Sequence, residues 1–149
     1  MFKQRLNDDV KTAMLSGDTL RLETLRGLKS AILYAEVATG KREEGLSDPE
    51  IEAIFAKEAK KRQESADLYI QGGAQDKADK ELTEKAIIEE YLPEQMTEAE
   101  IATLVDAAIA ELGANGPQMM GQVIGKVKQT AGSAADGGLI AKIAKEKLT

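Results

Sequence analysis

The amino-acid sequence predicts an all-α protein of two helical subdomains, residues 1–92 and 93–149. Three observations carry this. Apolar residues recur three and four positions apart along most of the chain, and no window alternates as a half-buried strand does. Two capping boxes, Ser47-Asp48-Pro49-Glu50 and Thr97-Glu98-Ala99-Glu100, each open an apolar-periodic run. Tyr91-Leu92-Pro93 ends a long helical pattern, because a proline pushes the residue before it out of the α region.

The elements follow in order. Phe2, Leu6, Val10, Ala13 and Met14 share one face of a first helix, which Ser16-Gly17-Asp18 ends. A second helix carries Leu22, Leu25, Leu28, Ile32 and Ala35, with Gly40 as its stop, and the charged stretch 39–46 reads as an exposed loop. The first box then starts a third helix, with Pro49 tolerated in a first turn that lacks intrahelical N–H bonds. Ile51, Ile54, Phe55, Leu68 and Tyr69 are its apolar positions, and Gly72-Gly73 closes it. Its middle, residues 57–64, is polar on nearly every side, the mark of a solvated or an interaction surface. A fourth helix, residues 76–90, turns Leu82, Ile87, Ile88 and Tyr91 inward.

Beyond Pro93 a three-helix bundle is expected. Ile101, Leu104, Val105, Ala108, Ile109 and Leu112 form the buried side of its first helix, and Gly113 stops it. Asn115-Gly116-Pro117 turns into a second helix with Met120, Val123, Ile124 and Val127 apolar. After a Gly/Ala-rich loop, Asp136 caps a last helix with Leu139, Ile140, Ile143, Ala144 and Leu148 apolar.

Composition narrows the chemistry. The 149 residues include no cysteine and no histidine, which removes disulfides, thiolate nucleophiles, zinc–cysteine clusters and the usual neutral-pH proton shuttle. No cofactor or metal is expected. Two Phe, three Tyr and no Trp leave little for base-stacking platforms. The net charge of -6 opposes general nucleic-acid binding, but residues 117–149 carry five lysines against two acids. No apolar run reaches the roughly 18 residues of a membrane span, and the first residues lack the apolar core of a secretory leader. A cytoplasmic protein with neither membrane nor DNA as partner is the expectation.

None of the five serines lies in a Gly-Gly-Ser-Ser frame of the amidase type, so no catalytic residue is assigned. Gly121-Gln122-Val123-Ile124-Gly125-Lys126 is one residue short of a phosphate-binding loop and lacks the following Ser/Thr. Helix packing through its two glycines is the expected reading.

The order and spacing of Tyr91-Leu92-Pro93-Glu94-Gln95, Met120-Gly121 and Asp136-Gly137 resembles the tail of the GatB/YqeY family. Leu25-Arg26, Ser30-Ala31-Ile32, the Lys57/Lys60/Arg62/Glu64/Ser65 run, and Tyr69, Gly73, Asp76, Ala78 and Glu81 extend the likeness over nearly the whole chain. The chain departs from the family at Ala74, where an arginine is frequent, and at residues 131–135, which lack the Arg and Lys of the family's loop. In that family the helical module occurs as a free-standing protein and as the C-terminal tail of the tRNA-dependent amidotransferase B subunit.

The resemblance implies an accessory tRNA-associated protein without catalysis of its own, under a family-level label of carbon–nitrogen ligase with glutamine as amido donor. Lys126, Lys128, Lys142, Lys145 and Lys147 are then the expected contacts to tRNA phosphates. The alternatives are an adaptor docking a translation or amidotransferase protein, and a component of an amidotransferase complex. For docking, Lys57, Lys60, Lys61 and Arg62 of the polar third helix are the candidate surface.

Overall fold

Local signals set the helix ends in the computed structural model, which describes all residues from Met1 to Thr149. Seven α-helices form and no strand: α1 (Phe2–Ser16), α2 (Thr19–Ala38), α3 (Asp48–Gln71), α4 (Gln75–Glu89), α5 (Glu98–Leu112), α6 (Met120–Ala131) and α7 (Gly137–Leu148). Short 3-10 turns, Pro117–Met119 and Gly132–Ala134, lead into α6 and out of it. Both capping boxes are made. Ser47 and Thr97 accept from the backbone N–H of Glu50 and Glu100, whose carboxylates reach back to the cap N–H groups. Gly17 and Gly113 end α1 and α5 in the left-handed conformation, with φ of 73° and 62°.

The chain divides into two compact units, Met1–Leu92 and Pro93–Thr149. In the first, Leu6, Leu25, Leu28, Ile32, Ile51, Phe55 and Ile88 form the buried centre. Phe55 is fully buried between Phe2 and Tyr91, with ring centroids 5.7 and 5.6 Å away and both contacts edge-to-face. Tyr91, the first residue of the helix break, is therefore a core residue. Its hydroxyl donates to the Asp9 carboxylate, and Arg5 lies over its ring, 4.3 Å from the centroid. Burial, followed by the bond to Asp9, pushes its phenol well above the ordinary range.

The second unit is a three-helix arrangement around Ile101, Val105, Val123, Val127, Ile140 and Ala144. Gln95 and Met96 tie the start of this unit to the 3-10 turn after α6. The Gln95 side-chain amide donates to the Ser133 carbonyl at 3.0 Å, and the Met96 N–H to the Ala134 carbonyl at 2.7 Å. Asp136 caps α7 by accepting from the Leu139 N–H at 3.1 Å.

Several positions differ from the periodicity reading. Met14, at 56 % exposure, and Leu68 and Tyr69, at 67 and 36 %, face outward. The far end of α3 packs through Ala59 and Ala66 instead, because small side chains let α4 approach it closely. Glu36 is buried, as is Thr24, although both are polar. The Glu36 carboxylate receives Lys3 and the Leu46 N–H at 3.3 Å, so it fastens the 39–46 loop back onto the helices. The bond from Lys3 is the main reason its carboxyl is held below the usual range. Gly45 completes this closure at φ 78°, where a Cβ would stand 3.4 Å from the Lys3 Nζ.

Candidate functional site

The basic residues of the C-terminal unit are positioned by the helices that bury its core. On α7, Ile140, Ile143, Ala144 and Leu148 face inward. Lys142 and Lys145, three residues apart, share the exposed outer face, whereas Lys147 falls on another side of the same helix. Lys147 reaches Asp106 of α5 at 2.9 Å. On α6, Val123 and Val127 are the buried positions and Lys126 pairs with Glu111 of α5 at 3.0 Å. Lys128 lies over the first residue of α7, its Nζ 3.5 Å from where a Cβ on Gly137 would stand.

The five lysines thus separate into two groups. Lys126 and Lys147 neutralise the outer acids of α5, while Lys128, Lys142 and Lys145 are exposed and form no ion pair. Such unpaired ammonium groups can exchange bound counterions for phosphate oxygens without first breaking an internal bond. Gly121 to Lys126 lies within α6 instead of preceding it, so it forms no phosphate-cradling loop. The two glycines are not a close-packing seam either, since a Cβ at Gly121 or Gly125 meets nothing within 4 Å.

The polar middle of α3 is occupied in a different way. Arg62 spans to α4, with Nε 3.0 Å from Glu84 and 3.9 Å from Glu81, and its Nη1 lies 3.1 Å from Glu58. Lys61 joins Glu58 at 3.3 Å, and Lys60 is also engaged. Lys85 of α4 donates to Gln63 at 2.8 Å. Of the four cations expected to form a docking surface, only Lys57 is exposed without an ion pair. A charged helix face therefore serves here mostly as polar glue between α3 and α4.

What sequence reading missed lies on α2. Leu33, Tyr34 and Val37 are exposed by 43, 79 and 59 % at the spacing of one helix face. Beside them a depression of about 360 Å³ opens between α1 and α2, lined by Lys3, Leu6, Asn7, Lys29, Ser30, Ile32, Leu33 and Glu36. Its acid and base, Glu36 and Lys3, are already bonded to each other. The available signal was the second apolar stripe of α2, which is one more than a helix packed on a single side requires. No group of three acidic side chains converges to hold a metal ion, and no helix is long and apolar enough to cross a membrane.

These features define an all-helical, strand-free protein with three exposed, unpaired lysines on the last two helices of its terminal unit. The profile described as "Yqey-like protein" matches residues 3–148, and the chain belongs to the YqeY-like family. Three proteins, each named altered inheritance of mitochondria protein 41, mitochondrial, are similar to it. The protein of Lachancea thermotolerans is 32 % identical over 76 % of this chain and 61 % of its own length. That of Kluyveromyces lactis is 30 % identical over 82 % of this chain and 66 % of its own. That of Eremothecium gossypii is 33 % identical over 72 % of this chain and 58 % of its own. The chain thus spans about three fifths of the length of these relatives.

Proposed function

We propose that this chain is an accessory tRNA-associated protein of the cytoplasm, acting through its C-terminal unit and carrying no catalytic step itself. One observation carries the reading: Lys128, Lys142 and Lys145 are exposed and unpaired on α6 and α7. Most cations of the other candidate surface are tied up inside the protein. Lys126 and Lys147 play the lesser part, since binding through them would first release Glu111 and Asp106. The mitochondrial label in the relatives' names belongs to those longer proteins.

The test is fluorescence anisotropy of the purified chain with deacylated total tRNA across a salt series, with an RNA duplex as control. Each phosphate contact contributes about 0.7–0.9 to the slope of log affinity against log salt, so changing Lys128, Lys142 and Lys145 together to alanine should remove about 2–3 units. Changing Lys126 and Lys147 should remove less. A slope unmoved by the triple variant, or no preference for tRNA over the duplex, refutes the proposal.

A further inference from the structure

α2 presents to solvent a face with one large knob and one hole. At 100° per residue, Glu23, Arg26, Gly27, Ser30, Leu33, Tyr34 and Val37 all fall on its outer side. Tyr34 is the knob, 79 % exposed. Glu23, Arg26, Gly27 and Ser30 stand at i, i+3, i+4 and i+7, the four corners that form a hole between neighbouring helices. Gly27 deepens that hole. It lies in mid-helix, where glycine is costly, and a Cβ there would meet nothing within 4 Å. Nothing inside the protein therefore calls for its small size.

The knob and the hole belong together in a particular geometry. If two α2 helices lie antiparallel about a two-fold axis at Ser30, Tyr34 is one turn to one side of the axis. The hole sits an equal distance to the other side, at the matching angle around the helix. Each Tyr34 ring then enters the opposite hole. There it rests on Gly27, its face beside the Arg26 guanidinium and its hydroxyl placed to donate to the Glu23 carboxylate. Leu33 and Val37 lie along the aliphatic stem of the opposite Arg26. In this structure Arg26 has no carboxylate partner, only the Met14 sulfur 3.9 Å from its Nη2.

We propose that the occupant of the α2 face is a second copy of this chain, in an isologous antiparallel α2–α2 contact with Ser30 on the two-fold axis. A helix pair of about four turns buries less than the roughly 1,200 Å² of the smaller stable interfaces, so the dimer is weak, with a dissociation constant of about 10 μM to 1 mM.

The full chain is examined by sedimentation equilibrium from low micromolar to about 1 mM, the range that brackets this affinity. A monomer–dimer equilibrium is expected, and Tyr34→Glu, a change at an exposed position, should weaken it at least tenfold while leaving the helical circular dichroism intact. Gly27→Met gives the sharper test. It should raise the melting temperature, because it replaces a helical glycine, and at the same time weaken the dimer by filling the hole. The chain has no cysteine, so a single Ser30→Cys reports directly on the axis. Under mild oxidation it should cross-link to a covalent dimer several-fold faster than Asp79→Cys, an exposed control on α4. A monomer throughout, a dimer indifferent to both Tyr34→Glu and Gly27→Met, or equal cross-linking at the two cysteines would overturn the proposal.

Discussion

Arg62→Ala removes the single guanidinium that Glu58, Glu81 and Glu84 share across α3 and α4. The four side chains are 15 to 23 % exposed, which places the cluster between two energetic regimes. Exposed ion pairs contribute about 0–1 kcal/mol, and removing one member of a fully buried pair costs about 3–5 kcal/mol. Two charge-assisted hydrogen bonds are lost, and the Glu84 and Glu81 carboxylates of α4 are left facing Glu58 with like charge. Lys61, 3.3 Å from Glu58, retains part of the compensation. The expected loss is about 2 kcal/mol, or about 8–16 °C in melting temperature for a unit of this size. All three tyrosines lie in Met1–Leu92, so tyrosine fluorescence in a urea titration follows that unit alone. The control is Lys57→Ala, which removes an exposed cation without an ion pair and should stay within about 0.5 kcal/mol of the parent. If the two variants have midpoints within that margin at equal m-values, Arg62 is not a structural clamp. In that case its charge is again free for a partner.

Glu50 is held down to about 2 by hydrogen bonds from Lys41 and then from Ser47, against an ordinary value of 4.5. A carboxyl depressed on folding contributes stability that is complete above its unfolded value and is lost as pH falls through the folded one. Glu50→Gln should therefore flatten the acid limb of stability between about pH 4.5 and 2, and an unchanged limb would disprove the assignment. Phe55→Ala, emptying a site enclosed by two aromatic rings, should cost about 3–5 kcal/mol by tyrosine-detected denaturation. Gly125→Ala should stabilise the C-terminal unit by about 0.5–1 kcal/mol, since the helix gains propensity and the new methyl meets no atom. A fall in the melting temperature measured by circular dichroism would show that something does approach α6 there.

Helix class and helix ends were legible because they depend on near neighbours. Ser47 and Thr97 bond to groups three residues ahead, and Asp136 does the same for α7, so each cap is written within one turn of sequence. The five tail lysines were equally visible as a charge excess in residues 117–149. Their availability was not. Lys126 and Lys147 are neutralised by acids on a different helix, which only the packing of α5 against α6 and α7 brings within reach. Arg62 finds Glu84 across 22 positions and Lys3 finds Glu36 across 33, so no local pattern marked either pair.

By itself the sequence determined an all-helical chain, its caps and stops, its family, and the residues from which a basic surface can be built. The tertiary structure alone decided which apolar stripe of α2 stays in water, which lysines remain unpaired, and that the inward-facing Tyr91 meets Phe55. The physical reason is range. A capping bond reaches one helical turn, but burial and ion pairing depend on which distant helix arrives opposite, and no local pattern encodes that neighbour.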